Sequence, residues 1–285
     1  MKMKSLSFLL LAFLFIGNLS YGQSSILGFG FKTIKGSGDV KTEIRNLSGF
    51  TKVETNGSIN VFIKKADAFE VKIEADDNLI PYIISEVKGN TLVVRMRENV
   101  NIRNSRKMTA YVSMPKLTAL ATRGSGSINS EGRFNGEELV VNTQGSGSIN
   151  FSFDGKNAVI STHGSGGIKF SGSINKVEVG THGSGGIKAQ LESESAHLSV
   201  GGSGSVNISG SAKDVVAEVQ GSGSIYGYNF MTKNATASVQ GSGSCNLSVS
   251  EGLNGRIHGS GGINYRGNAS VITSETTGSG KIRKQ

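Results

Sequence analysis

The chain has 285 residues, including 41 Gly, two Pro, one Cys and no Trp, and its formal net charge is +9. This much glycine without a Gly-X-Y period or abundant proline excludes collagen, and a single cysteine excludes an intramolecular disulfide framework. The composition leaves two possibilities, a flexible low-complexity segment or a repeat built on glycine turns.

Residues 1–22 have the pattern of a secretory signal peptide. Lys2 and Lys4 form a positive start, and an apolar run from Leu6 to Ile16 follows that is too short to span a bilayer comfortably. Small residues at positions 20 and 22 fit a signal peptidase cut before Gln23. We therefore expect an exported mature chain, periplasmic, cell-surface or secreted, with no transmembrane segment after signal removal.

Residues 23–116 show alternating apolar segments at irregular spacing, which we interpret as irregular N-terminal β coils and a cap. Gly38-Asp39-Val40 and Asn56-Gly57-Ser58-Ile59 are weak echoes of a motif that dominates the rest of the chain. Asp76, Asp77 and Asn78 are residues that can cap a helical turn before Pro81. Because terminal repeats must hide strand edges and core from water, such a segment suits the end of a repeat array.

Residues 117–285 carry a Gly-Ser-Gly motif at a nearly constant interval. Its first glycines are Gly124, Gly145, Gly164, Gly183, Gly202, Gly221, Gly241, Gly259 and Gly278. The intervals are 21, 19, 19, 19, 19, 20, 18 and 19 residues. A flexible linker has no reason to keep such a period, whereas a solenoid must keep it because each coil lies over the previous one.

Two apolar ladders accompany the motif. Residues six, four and two before it alternate inward-type side chains with polar neighbours, as in Val177, Val179 and Thr181. A second ladder stands four residues after each first glycine and includes Ile168 and Ile187. Cys245 occupies an Ile position in this ladder, so we interpret it as a small buried hydrophobe and not as a reactive thiol.

Nineteen residues at roughly 3.3 Å each give a perimeter near 60 Å, enough for a hollow coil with two or three flat sides. The repeat is too short for a four-stranded propeller blade and lacks the helical patterns of leucine-rich or βαβ repeats. The sequence predicts an all-β parallel β-helix (solenoid) of about nine regular 19-residue coils, with residues 23–285 as one continuous domain. The two glycines of each motif are expected to turn a corner with φ > 0 or to allow close backbone approach.

The signal peptide, the Thr-Asn-Gly-Ser-Ile-Asn segment at 55–60, the Ala-Asp-Asp-Asn-Leu stretch at 75–79 and the serial Gly-Ser-Gly-Ser-Ile units resemble the putative auto-transporter adhesin family carrying the head GIN domain. The resemblance covers nearly all of residues 40–285. It implies a right-handed parallel β-helix, exported by Bacteroidetes-like bacteria, and an adhesin-like role.

Catalytic and metal chemistry finds little support in the repeat. After Lys116 the only aspartates are Asp154 and Asp214, and no carboxylate pair falls at matching positions in neighbouring coils. Glu192 and Glu194 are two apart on one strand, which fits an exposed edge better than a reactive pair. The glycine units lack the Asp of calcium-binding repeats, and no Gly-Lys-Ser/Thr follows them for phosphate binding. We expect no enzyme activity, no cofactor and no metal.

Three histidines, His163, His182 and His258, stand immediately before the motif, the first two on adjacent coils. Stacking would place these two about 5 Å apart. Two imidazoles can hold Zn²⁺ or Cu²⁺, but a third ligand on the same face is missing, so an exposed polar ladder is the favoured interpretation.

A basic cluster is the one candidate binding site. Its residues are Arg95, Arg97, Arg103, Arg106 and Lys107, opposed locally only by Glu98. Removing Lys2 and Lys4 leaves 28 Lys and Arg against 21 Asp and Glu, or +7 for the mature chain. The cluster is either a site for an acidic polysaccharide or anionic envelope component, or a solvated basic loop. Nucleic acid is not expected, since export removes the protein from it and no aromatic-basic module is evident.

The sequence therefore predicts a non-catalytic surface or secreted protein that binds a polysaccharide, an envelope component or a protein partner through its flat sides. A structural envelope or matrix protein that self-associates through coil ends is the first alternative. A polysaccharide-active enzyme is the second, supported only by analogy of fold.

Overall fold

The fold consists almost entirely of β-strands, which recur with the sequence repeat and are also present in the irregular N-terminal part. The computed structural model describes residues 32–103 and 105–285. Within them the strands are β1 (Lys32–Lys35), β2 (Val40–Arg45), β3 (Lys52–Gly57), β4 (Asn60–Lys65), β5 (Glu70–Asp76), β6 (Ile83–Lys88), β7 (Thr91–Met96), β8 (Val100–Arg103), β9 (Met108–Met114), β10 (Ala119–Gly124), β11 (Ser127–Glu131), β12 (Phe134–Gly145), β13 (Ser148–Gly164), β14 (Gly167–Gly183), β15 (Gly186–Gly202), β16 (Ser205–Gly221), β17 (Ser224–Gly241), β18 (Ser244–Gly259), β19 (Gly262–Arg266), β20 (Ser270–Thr277) and β21 (Lys281–Lys284). The single helical element described is a 3₁₀ turn, Ile80–Tyr82. The predicted signal peptide at 1–22 lies outside the described residues.

The repeat builds a parallel β-helix, as predicted. From β12 to β18 each strand pairs in parallel with the strand of the next repeat, and corresponding positions of the motif lie side by side. Because neighbouring strands lie about 4.8 Å apart, nine coils with this motif rise on the order of 40 Å. Residues Lys32–Gln285 form one compact unit.

Stacked apolar side chains form the core, as the two ladders predicted. Val179 lies between Ile160 and Leu198 in the register, and Ile168 lies beside Ile187. The side chains of all five residues are no more than 3% exposed. Each coil places its ladder residue over the equivalent residue of the coil before it, so the core is continuous along the axis.

Cys245 fills its Ile position as expected. It lies between Ile225 and Ile263 and is completely buried. Burial raises the pKa of its thiol to about 12. The side chain is therefore neutral at physiological pH and packs as a small apolar group.

The two glycines of each motif meet different structural requirements at the corner. The first ones, from Gly124 to Gly278, have φ between +102° and +125°, a region that residues with a Cβ rarely adopt. The second ones allow close approach: a Cβ on Gly185 would lie 2.4 Å from the carbonyl oxygen of Gly166 in the preceding coil. A Cβ on the first glycine would also be too close, as for Gly183, where it would lie 2.7 Å from the Gly164 oxygen. The first position therefore needs glycine for both expected reasons, and the second for close approach alone.

The first coil consists of β3 and β4 and lies next to β10 and β11. Gly57 pairs with Gly124 and has φ +94°, so the echo at residues 56–59 is a genuine corner. The apolar ladder continues through Val61, which pairs with Ile128, and not through Ile59. The echo at Gly38 is different, because the following strand β2 pairs antiparallel with β5 and belongs to no coil.

Residues between the first and second coils cover the N-terminal end of the stack. Strands β7 and β9 continue it in parallel, on β3 and β4 respectively. Strands β6, β5 and β2 then add antiparallel pairs, β6 on β7 and β5 between β9 and β2. Strands β1 and β8 form a separate two-stranded parallel sheet. The cap therefore combines a continuation of the coils with antiparallel strands.

The helical turn near Pro81 differs from the expectation. It spans Ile80–Tyr82 and includes Pro81, and Leu79 at its start provides no side-chain cap. Asp77 instead accepts a 2.6 Å hydrogen bond from the Ser37 hydroxyl. The predicted capping role of residues 76–78 is wrong, because the turn starts at Ile80 and no side chain caps it.

Candidate functional site

The basic cluster lies on the strands and connections of the N-terminal cap. Arg95 is on β7, Arg97 follows that strand, and Arg103 ends β8. Arg106 and Lys107 lie in the connection that leads to β9. The structure therefore distributes the five residues over three neighbouring segments of the cap.

Two of the five form ion pairs that hold the cap together. Arg95 Nε lies 3.1 Å from Glu86 Oε1 on the adjacent strand β6. Lys107 Nζ lies 2.9 Å from Glu74 Oε1 and donates a 3.0 Å hydrogen bond to the Tyr111 hydroxyl. Hydrogen bonds to Tyr111 and Glu74 raise the pKa of Lys107, and the bond from Lys107 lowers the pKa of Glu74. Because these two cations already have anionic partners, they contribute less positive charge to the binding of a ligand.

The remaining three arginines are exposed: Arg97, Arg103 and Arg106. Their guanidinium groups make no ion pair within the described ranges. Arg106 is anchored through its backbone, since its N–H donates a 3.2 Å hydrogen bond to Asp76 Oδ2. The side chains are therefore positioned by the cap and keep their charge for an external partner.

Two lysines that the sequence analysis did not select join these arginines. Lys35 is the register partner of Arg103 across the β1–β8 sheet. Lys32 Nζ lies 5.3 Å from the centre of the Tyr82 ring, and the Arg97 guanidinium lies 5.6 Å from the same centre. We call Lys32, Lys35, Arg97, Arg103 and Arg106 the basic end. Lys32 and Lys35 were missed because their pairing with β8 spans more than sixty residues of chain.

Tyr82 organises part of the basic end. Its hydroxyl accepts a 2.9 Å hydrogen bond from Lys32 Nζ, and its carbonyl accepts a 2.8 Å bond from the Arg97 N–H. Two cations share one aromatic ring, and each gains from the negative potential of the ring face. The Tyr82 ring therefore brings Lys32 and Arg97 close together.

The histidine pair has the predicted stacking. The rings of His163 and His182 have centroids 4.9 Å apart and are inclined by 6°. Partial burial and the neighbouring His182 lower the pKa of His163. His258 lies elsewhere, between Gln240 and Thr277 in the register. In residues 32–103 and 105–285 no group of three or more His, Cys, Asp or Glu side chains is placed to hold a metal ion.

The carboxylates of the coils do not form stacked pairs at the positions singled out from the sequence. Glu192 lies between Ser173 and Ser211 in the register. Asp154 pairs with Arg133 at 2.8 Å and accepts the N–H of Ser173. In the part of the chain that the structure describes, no helix is long and apolar enough to cross a membrane.

Three solved structures share this fold. A protein of Parabacteroides distasonis described as a putative lipid binding protein is 24% identical, with a TM-score of 0.70 over 89% of this chain and 100% of that one. A putative adhesin of Parabacteroides merdae is 17% identical, with a TM-score of 0.69 over 89% and 99%. A putative adhesin of Parabacteroides distasonis is 20% identical, with a TM-score of 0.72 over 89% and 100%. At these identities the similarity concerns the fold.

The family comparison extends over most of the coils and part of the cap. No curated protein matches the chain. The family model described as putative auto-transporter adhesin, head GIN domain, matches residues 49–191 and 175–269. These segments include the first coil, the cap strands β5 to β9 and the regular coils up to β19. The chain therefore belongs to the putative auto-transporter adhesin family with the head GIN domain.

Proposed function

We propose that this protein is an exported, non-catalytic adhesin-like β-helix that binds acidic polysaccharide through the basic end. The observation that carries the proposal is the concentration of five exposed cations at one end of the molecule. Arg97, Arg103 and Arg106 have no ion pair within the described residues, and Lys32 and Lys35 lie beside them. The adhesin-like character of the family supports a binding role.

The charge arrangement suits a polyanion better than a small anion. The cations come from separate segments, namely β1, the residue after β7, β8 and the following connection. In this proposal they act together as an extended set of charges. An extended set engages several carboxylates, sulfates or phosphates along one polymer. Salt screens the attraction between charges that are more than about 8–10 Å apart, so the affinity should be modest and salt-sensitive.

The arrangement of acidic residues supports binding without cleavage. Hydrolysis of a glycosidic bond uses two carboxyl groups within roughly 5–10 Å on either side of the bond. Asp76 accepts the backbone N–H of Arg106, and the two carboxylates that contact side chains of the cluster, Glu74 and Glu86, are neutralised by cations. The partners of both carboxylates lower their pKa, which is the opposite of what a general acid needs.

An assembly function is the second candidate, and one observation favours it. Strand β2 pairs with β5 alone among the described strands and presents Ile44 with 64% of its surface exposed. An exposed edge with an apolar side chain can pair with another copy of the chain. Ile44→Lys should then lower the molecular mass seen by analytical ultracentrifugation, whereas a monomeric parent would remove this candidate.

The main proposal is tested by retention of residues 23–285 on a polygalacturonate matrix. The test variant is Arg97→Gln, Arg103→Gln, Arg106→Gln. A matched control with the same change in net charge, Lys156→Gln, Lys213→Gln, Lys233→Gln, alters other coil surfaces. Retention should fall in the first variant and stay close to the parent in the second, with unchanged melts for both.

Equal retention of the two triple variants would show that net charge, and not the basic end, controls binding. The release of new reducing ends or unsaturated sugars from the matrix would contradict the non-catalytic part of the proposal. Binding to anionic phospholipid vesicles in place of the matrix would assign the basic end to a membrane surface.

A further inference from the structure

The coil that contains Tyr226 departs from the regular register in its pairing with β16 and again in its pairing with β18. The motif interval before Gly241 is 20 residues, one more than the usual 19. Asn207 pairs with Tyr226, but Ser209 pairs with Asn229, so Ile208 lies opposite both Gly227 and Tyr228. This is a β-bulge, a feature that redirects a side chain and is frequent beside binding sites.

The bulge brings a second tyrosine to the surface beside the first. Tyr226 is 50% exposed, and both Tyr226 and Tyr228 line a cleft of about 320 Å³. The Arg266 guanidinium lies 4.2 Å from the centre of the Tyr228 ring and holds it in place. Glycine fits well between the tyrosines, because a Cβ on Gly227 would make a tight 3.0 Å contact with the Asn246 carbonyl oxygen.

Amides and lysines continue from the cleft along the axis of the coils. Parallel register places Tyr226 in one line with Lys169, Lys188 and Asn207 on one side and Asn246 and Asn264 on the other. Asn246 is 8% exposed and therefore buried, whereas the other residues of this set reach the surface. We call this the axial line. From Tyr111 on β9 to Arg283 on β21 no residue of the line carries a carboxylate.

The other outward positions of the same coils differ in this respect. Glu178 lies between Val159 and His197 on the side before the corner, and Glu218 lies near His197 there. The axial line thus combines aromatic, amide and cationic groups while the acids lie on other sides of the coils. Successive strands lie about 4.8 Å apart, so the exposed groups of the axial line face a linear polymer at regular intervals.

We propose that the cleft of Tyr226 and Tyr228 is a subsite for an acidic sugar of the uronate class, with the glycan chain running along the axial line. The C–H face of a sugar ring can stack on the exposed Tyr226 ring, which offers a rigid amphipathic surface. The amide of Asn207 can donate to sugar hydroxyls. Lys188, which lines the cleft, can pair with the carboxylate of a bound or adjacent sugar.

The backbone of these coils favours a glycan over an extended peptide. Strand β17 is paired with β16 and, apart from an irregular stretch between Gly227 and Met231, with β18, so it has no continuous free edge to which a peptide could add as a further strand. Ligand contacts there have to be made by side chains, and those present are rings, amides and amines.

This inference rests on the proposed polysaccharide-binding function but assigns ring recognition to a second place. Phe62, on the first coil next to the cap, also belongs to the axial line. Six strand-to-strand steps along the line separate it from Tyr226. Because neighbouring strands lie about 4.8 Å apart, Phe62 and Tyr226 are roughly 30 Å apart along the axis. The basic end and the cleft can therefore be altered independently.

The test measures the Kd of residues 23–285 for a fluorescein-labelled oligogalacturonate by fluorescence polarisation. Tyr226→Ala should raise the Kd about tenfold, because truncating a central aromatic contact commonly removes this much affinity. Tyr226→Phe keeps the ring and should stay within about twofold. Met231→Ala, on the same coil and 62% exposed but outside the cleft, is the matched control. Melts of all variants should agree with the parent.

A carboxyl-reduced oligomer and the basic-end triple variant distinguish the two proposals. Lys188→Gln should weaken binding of the uronate oligomer and leave binding of the reduced oligomer unchanged. If Tyr226→Ala binds like Met231→Ala while the arginine triple variant loses binding, the uronate subsite in the cleft is rejected and the proposed function stands. If Tyr226→Ala alone loses binding, the uronate subsite in the cleft stands and polysaccharide binding by the basic end is rejected. A parent that binds neither oligomer would overturn both.

Discussion

Substitution of the second corner glycine should test close backbone approach by itself, because Gly185 does not have a positive φ. In Gly185→Ala the new Cβ would lie 2.4 Å from the Gly166 oxygen and 3.3 Å from the Gly164 oxygen. Both oxygens are fixed, since Gly164 O accepts the N–H of Gly185 at 2.8 Å and Gly166 O accepts the N–H of Gly186 at 3.2 Å. The clash can be relieved only by separating two coils and weakening both bonds.

The cost can be worked out from these contacts. Each weakened backbone hydrogen bond contributes about 1 kcal/mol, and overpacking adds at least about 1 kcal/mol. We expect the free energy of unfolding to fall by about 3 kcal/mol, as measured by urea denaturation followed by far-UV circular dichroism.

The adjacent glycine is the control. A Cβ on Gly186 would meet nothing closer than Ser205 Oγ at 3.6 Å, and this residue is not in the positive-φ region. Gly186→Ala should therefore leave stability unchanged or raise it by up to about 1 kcal/mol. Equal effects of the two substitutions, or a loss below about 1 kcal/mol for Gly185→Ala, would refute the steric argument.

Three other predictions concern the core, the histidine pair and metal dependence. Val179→Asp buries a charge that has no partner and should cost more than about 3 kcal/mol, while its outward neighbour Glu178→Ala changes the urea midpoint little; a parent-like Val179→Asp would place the strand one residue out of phase. Because the pKa of His163 is lowered in the fold, stability is fully present above the unfolded value of about 6.5 and declines as pH falls through the folded value. His163→Gln should therefore lose less stability than the parent between about pH 7.5 and 5.5, and an identical pH profile would contradict this. EDTA should leave the thermal melt unchanged, whereas a large drop would return attention to His163 and His182 as metal ligands.

The regular coils could be predicted from the sequence because one residue pattern is repeated at one interval. Ile168, Ile187 and Val179 occupy ladder positions, and parallel stacking places each beside its equivalent. Even Cys245 was assigned to the core by its position in the ladder. The 20-residue interval before Gly241 signals an extra residue, but its effect on Tyr228 depends on which of several residues is extruded.

The cap could not be derived in the same way. Alternation of apolar and polar residues is the same for parallel and antiparallel strands, so β5 and β7 look alike in sequence although only β7 continues the coils. The basic end depends on the pairing of β1 with β8, which no local pattern reveals. Five cations were recognised by their closeness in sequence, yet two of them, Arg95 and Lys107, are engaged within the cap.

The central claim, binding of acidic polysaccharide by the basic end, is tested most directly by the salt dependence of one affinity. The Kd of residues 23–285 for labelled oligogalacturonate should increase from low ionic strength to about 0.15 M salt. In Arg97→Gln, Arg103→Gln, Arg106→Gln the affinity at low salt should be weaker and its salt dependence smaller, because fewer charges take part. A Kd that does not change with salt, or a triple variant with the same affinity and the same salt dependence as the parent, would contradict the account.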